Sequence, residues 1–219
     1  MKIDMTNIAY TEEYNTYLNE YKAIFDDANY KETEIIDLSS EYSMEIISYS
    51  GSINGRNLTA SENILKDHSG KETYRFRNMD TGGDFRKLIT HSNGRQYLIH
   101  KTDLYGYGVF DLALGKEFRH IPKGPESFIW TDVDYNPSNN KLVVSGCFWA
   151  CPYGTHILDF TNPMTETDWI DVQRIVDEDY EKYDDVDFSG WDGDMIILKV
   201  YDNDSRQTRE IRWDTSLEK

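Results

Sequence analysis

The sequence predicts an all-β protein built from antiparallel four-stranded meanders, with one amphipathic helix at its amino terminus. Three observations predict it. From about Thr33 onward, short β-prone runs alternate with Gly, Asn, Asp, Ser and Pro, the texture of strands joined by tight turns. A strand, a polar turn and a second strand recur without a gap, residues 131–135 and 142–146 matching 184–188 and 195–199 at an offset of 53 residues. A sustained apolar stripe at helical period is found ahead of all this, between Tyr14 and Phe25. Strand-turn-strand units repeated every ~40–50 residues mark propeller blades and related arrays, in which each unit hides its apolar face on a neighbour.

The helix comes first. Tyr14, Tyr17, Leu18, Tyr21, Ile24 and Phe25 fall on one helical face. Thr11 is placed to cap it, Glu12 and Glu13 sit where the helix dipole favours acids, and Asp26 to Asn29 marks the exit. A first unit of strands is read at 34–38, 44–49, 58–65 and 73–77, and a second at 86–90, 96–101, 106–112 and 117–121. The first turn of the second unit is His91-Ser92-Asn93-Gly94, and Asn-Gly is a hairpin signal. The third unit, at 128–135, 141–146, 154–160 and 169–175, parallels the second: residues 109–112 match 157–160 at an offset of 48. The fourth shows three strands, at 186–188, 195–201 and 208–213, so residues 3–9 are the expected clasp that completes it. The domain reading is an N-terminal segment, 1–32, and a single all-β repeat domain, 33–219.

The Asp-Val-Asp-aromatic, polar turn and apolar strand pattern resembles the blades of β-propellers in the broad WD-repeat-like sense, over roughly residues 33–215. The resemblance implies about four units, a number that also allows incomplete closure. The Gly-His and Trp-Asp dipeptides of true WD40 blades do not recur; Trp191-Asp192 and Trp213-Asp214 stand at unrelated positions. The stretch from Tyr97 to Tyr153, with Asp103-Leu104-Tyr105-Gly106-Tyr107-Gly108 and Cys147-Phe148-Trp149-Ala150-Cys151-Pro152-Tyr153, is also similar to an uncharacterised group of bacterial proteins. A β-sandwich or open barrel gives the same strand list, because alternation reports a buried face and not the arrangement of sheets.

Composition bounds the function. A 219-residue chain that is 38% hydrophobic and 14% aromatic, with 16 tyrosines, has enough apolar mass for its own core. A formal charge of -17 repels phosphate backbones and attracts basic partners, which argues against nucleic acid. The first seven residues lack a signal-peptide core, and no run approaches the ~18 apolar residues of a membrane span. These features lead to the expectation of a cytoplasmic protein without a membrane partner. Two cysteines provide no disulfide framework and fit a reducing compartment.

The densest constellation lies in the loops after the second strands of units two and three. Asp103, Tyr105 and Tyr107 correspond to Trp149, Cys151 and Tyr153, with Trp130 and Asp132 one strand earlier. If the units stack as blades, these loops form a mouth of rings and carboxylates suited to sugars, peptides or cations; rings packed between sheets are the plainer reading. Cys147 and Cys151 with His156 fall short of four zinc ligands, and the acidic run 177–187, read as a solvated connection between units three and four, lacks the glycine and terminal glutamate of a calcium loop, so no metal or cofactor is expected. No nucleophile elbow, phosphate loop or metalloprotease helix is present. The expected function is therefore a non-catalytic binding or protein-interaction module, its partner a protein, for which the acidic charge favours a basic one. One alternative is a hydrolase or lyase on a small polar or sugar-like substrate, with Asp103, Asp132 and Glu126 as candidate carboxylates. The other is an acidic inhibitor or immunity-type protein that covers a basic partner.

Overall fold

The structure, a computed structural model, describes residues 4–79, 84–124, 127–149, 151 and 153–215. Its first helix obeys the cap and stripe written in the sequence. The side-chain oxygen of Thr11 accepts the backbone proton of Tyr14 at 3.2 Å, satisfying one of the amides a helix leaves unpaired at its start. Helix α1 (Glu12–Tyr21) then tightens into 3-10 turns at Lys22–Phe25 and Asp27–Asn29. Tyr14 and Ile24 on the stripe are buried, and Tyr17, Leu18, Tyr21 and Phe25 pack beside them. The surface that receives Ile24 and Phe25 is Leu58, Ala60 and Met79, with Tyr49 and Ile53 at its margin.

Four antiparallel meander sheets follow in chain order, so the fold is all-β with an N-terminal helix, as the sequence predicts. The first holds β1 (Tyr30–Asp37), β2 (Tyr42–Ile53), β3 (Arg56–Asp67) and β4 (Glu72–Met79). The second holds β5 (Arg86–Thr90), β6 (Gln96–Lys101), β7 (Tyr107–Asp111) and β8 (Lys116–His120). The third holds β9 (Ile129–Asn136), β10 (Lys141–Cys147), β11 (Tyr153–Asp159) and β12 (Trp169–Asp171), and the last has three strands, β13 (Tyr183–Asp192), β14 (Met195–Asp202) and β15 (Gln207–Asp214). β2 and β3 run longer than their apolar cores because Asn54 (φ 52) and Gly55 (φ 79) make a two-residue turn that keeps the pair in register to its tip.

The chain divides into two compact units, one comprising residues up to Ile89 with Arg95–Ser127, the other Thr90–Gly94 with everything from Phe128. The core of the first joins Met44, Ile46, Leu65 and Phe76 to Leu98 and Phe110, with the rings of Tyr74 and Phe110 stacked at 3.8 Å. Val143 and Ile157 pack with Val186, Ile196, Leu198 and Val200 in the second. Each fully buried aliphatic side chain contributes about 1.5–3 kcal/mol relative to exposure.

The gapless sequence repeat does not carry an identical pairing. In the β9–β10 hairpin Asp134 lies opposite Val143, whereas its equivalent Asp187 in β13–β14 lies opposite Lys199, which corresponds to Gly146. The first hairpin turns through four residues between Asn136 and Lys141, while the second closes between Asp192 and Met195 with Gly193 at φ 60. The two copies meet each other directly: Trp191 donates its indole proton to Asp134 at 2.9 Å, and Asn136 donates its side-chain amide to the carbonyl of Gly193 at 2.7 Å.

Three local expectations are corrected. The strand expected at 169–175 ends at Asp171, whose side chain accepts the amide protons of Gln173 (3.0 Å) and Arg174 (3.4 Å) and starts a short helix, α2 (Val172–Val176). The amino-terminal clasp does not join the three-stranded sheet within the described residues; Ile3 lies outside them. Residues 4–8 instead run antiparallel to 121–124, with Ile8 donating to Ile121 at 2.8 Å and Gly124 to Asp4 at 2.8 Å. Asn7 holds them there because its side chain both donates to the carbonyl of Arg119 (2.9 Å) and accepts from the amide of Ile121 (3.0 Å). Finally, the acidic run is not wholly solvated: Asp177 is buried and accepts the amides of Lys182 (2.8 Å) and Tyr183 (2.9 Å). Among the described residues no helix is long and apolar enough to cross a membrane.

Candidate functional site

The residues singled out from the sequence divide between the two units, Asp103, Tyr105 and Tyr107 in the first and Trp130, Asp132, Trp149 and Tyr153 in the second. Asp103 turns inward. Its carboxylate accepts the amides of Tyr105 (3.0 Å) and Gly106 (2.6 Å) and the hydroxyl of Tyr14 (2.9 Å). Burial pushes the Asp103 carboxyl up from its ordinary value, against the opposing pull of those hydrogen bonds. Tyr107 is buried with its ring stacked on His120 at 5.5 Å, and Trp130 is buried with its ring edge-on to Trp169 at 5.4 Å; both are core. Tyr105 is half-buried and Asp132 exposed. Trp149 and Tyr153 are 64% and 57% exposed at the β10–β11 hairpin. Glu126 lies outside the described residues. Cys147 and Cys151 are free thiols, and a turn closed by the Cys151 amide on the carbonyl of Phe148 (3.0 Å) separates them.

A concavity lies elsewhere in the first unit. A cavity of about 480 Å³ is walled by Tyr14 and Leu18 of α1, Lys22 and Phe25 of the following 3-10 turn, Glu62 of β3, and Arg75, Phe76 and Arg77 of β4. Thr102 and Arg119 complete the wall with Asn19 and Met79. Four basic side chains thus meet one carboxylate, Glu62, on a chain whose net charge is -17.

Strand geometry positions the cations. Arg75 and Arg77 stand two apart on β4 and therefore share a face of the sheet, where Glu62 on β3 lies directly opposite Arg77. Glu62 takes Arg77 Nε at 2.9 Å and Arg75 Nη1 at 2.8 Å, while Arg75 also grips Glu72 at 3.0 and 2.7 Å. The Arg77 guanidinium lies over the Phe25 ring at 4.4 Å, a cation-π contact that fixes its plane. Arg119 gives Nη2 to Glu117 at 2.7 Å, two residues away on β8.

Behind Arg119 lies a buried polar cluster. Glu117 accepts the Tyr74 hydroxyl and faces His100 Nε2 at 3.5 Å. His100 Nδ1 meets the carbonyl of Lys101 at 2.9 Å, and since a carbonyl only accepts, Nδ1 carries a proton. Burial alone would raise the Glu117 carboxyl; hydrogen bonds from His100, Arg119 and Tyr74 and the charge of Arg119 outweigh it and hold the group at about 2. Burial, then the Glu117 charge, pushes the Tyr74 phenol upward. Every carboxylate oxygen in this cluster is committed to holding Arg119 and Tyr74 in place.

Two polar atoms of the lining residues have no such commitment, and both are shut off from the cavity surface. Thr102 is 6% exposed and its hydroxyl oxygen is buried without a hydrogen-bond partner, as is Nε of Arg119. An unsatisfied buried polar group costs about 1–3 kcal/mol. Lys22 forms no ion pair in the described structure. The arrangement suits recognition: aromatic and aliphatic walls, oriented guanidinium groups and spare donors. A nucleophile or a free acid-base pair is not among the described wall residues, and Asp103, the desolvated carboxylate, is bonded behind Tyr14.

Sequence reasoning did not single out Lys22, Arg75, Arg77 or Arg119. The one local signal was the Arg-x-Arg alternation of β4, which places two like charges on one face. No model of a known protein family matches the chain, and no curated protein matches it.

Proposed function

We propose that the protein is a non-catalytic binding module whose working site is the cavity of the first unit. The observation that supports this reading is the cavity itself: about 480 Å³, within the size range of small-ligand sites, and lined by rings and anchored cations. The hydrolase or lyase reading needs a carboxylate or nucleophile facing substrate, and the desolvated Asp103 spends its oxygens on Tyr14 and two backbone amides. Two free thiols favour a reducing compartment, the cytoplasm. The ε-methyl group of Met79, on the cavity wall, is a reporter for the test. Small ring-bearing fragments are expected to shift its carbon-13 resonance and to be recovered unchanged. Turnover of such fragments, or a Met79 signal indifferent to all of them, would sink the proposal.

A protein partner is a second reading, favoured by one observation in the second unit. Trp149 and Tyr153 are large aromatic side chains presented to solvent on one hairpin, and Trp and Tyr are the residues that most often anchor protein interfaces. The acidic charge of the chain favours a basic partner for that face.

A further inference from the structure

The ligand of the cavity carries an oxyanion: we infer that the site takes a small molecule with a carboxylate or phosphate monoester attached to a flat apolar body. The inference rests on the binding reading above and adds the chemistry of the ligand. Four basic groups concentrate on this wall of an acidic protein, against the average of the chain. Three of them are braced. Arg75, Arg77 and Arg119 are oriented by Glu62, Glu72 and Glu117, and those bonds leave donors over, since Arg77 gives only Nε to Glu62. Guanidinium groups fixed by carboxylates on one edge offer the other edge to a planar or tetrahedral oxyanion. Lys22 adds a mobile ammonium that no carboxylate neutralises.

Phe25 and Phe76, with Leu18 and Met79, supply the apolar surface for the remainder of the ligand. A cation in the same place would meet the ammonium of Lys22, which no carboxylate pairs, and a purely apolar ligand would leave that ammonium without a counter-charge.

The test uses the full chain and four probes of similar shape: benzoate, phenyl phosphate, benzyl alcohol and benzylammonium. Binding is read from the Met79 methyl resonance and by calorimetry, in low salt and at about 0.3 M salt, where screening weakens an exposed charge contact. Benzoate or phenyl phosphate is expected to bind most tightly and to weaken with salt, with benzylammonium the weakest of the four. A preference above about tenfold between the two anions, or ~1.4 kcal/mol, assigns the headgroup. Lys22→Glu is expected to lower anion affinity at least fivefold while benzyl alcohol binding stays unchanged. Benzyl alcohol or benzylammonium binding as well as the anions overturns the inference and leaves the binding cavity standing. No response of Met79 to any probe overturns both.

Discussion

Tyr14 donates its hydroxyl proton to the carboxylate of Asp103 at 2.9 Å across 89 residues of chain, and the bond is buried at both ends. It fastens α1 to the loop after β6 and so fixes one wall of the cavity. Removing the hydroxyl leaves Asp103 with only its two backbone donors in a desolvated place. Tyr14→Phe is therefore expected to cost ~1–3 kcal/mol in urea denaturation and to raise the Asp103 carboxyl further, since the Tyr14 bond pulls it down. Carbon-13 titration of the aspartate carboxyls reads the second effect; a downward move would contradict the account.

Glu117 gives the protein an acid limb. Its folded pKa, about 2, lies below the roughly 4.3 of an unfolded glutamate. A depressed carboxylate contributes stability that is complete above the unfolded value and is lost as pH falls through the folded one. Stability is thus expected to decline between about pH 4.5 and 2, with Asp103, whose pKa is raised, working in the opposite sense. Glu117→Gln should cost about 3 kcal/mol near neutrality, as when one partner of a buried pair is removed, and flatten the acid limb. Denaturant melts across that window measure both; an unchanged slope would remove Glu117 as its source.

Much of the fold was written locally. The 86–90 and 96–101 strands match β5 and β6 to the residue, because a polar five-residue stretch, 91–95, separates two short apolar runs. The third-unit strand beyond Asp171 failed since an aspartate that can accept two amides starts a helix whatever the β-prone residues after it prefer. Its loop position places Asp103 at an exposed mouth, because loops usually face solvent. The same residue type, followed two and three positions later by free amides, folds its side chain back on the chain and is drawn inside. The cavity was illegible for a different reason. Lys22, Arg75 and Arg119 come from three elements, and alternation states which face a residue takes without stating which distant element shares that face.

Gly146 is required by close approach and not by its backbone angles. A Cβ built there would lie 2.1 Å from the carbonyl oxygen of Ile129, a backbone atom that cannot step aside without disturbing the β9–β10 ladder. Gly154, its partner across β10–β11, has no heavy atom within 4 Å of the same construction. Gly146→Ala is expected to cost about 2 kcal/mol or more, and Gly154→Ala less than about 0.5 kcal/mol. Equal effects in thermal melts would mean that the pairing of Gly146 beside Ile129 is wrong.

The β10–β11 hairpin separates binding from folding in the second unit. Trp149 and Tyr153 are 64% and 57% exposed, so truncating them removes little buried surface. The double substitution Trp149→Ala, Tyr153→Ala is expected to change unfolding free energy by less than about 0.5 kcal/mol. Against a basic protein partner it should cost at least about 2 kcal/mol of affinity if these rings are anchors. Calorimetry of the complex, alongside urea melts of the free variant, reads the two quantities. Lost stability would show that the rings pack inward; full stability with unchanged affinity would move the partner surface off this hairpin. Raising the salt distinguishes the remaining contributions, because attraction carried by the acidic surface is screened whereas aromatic burial is not.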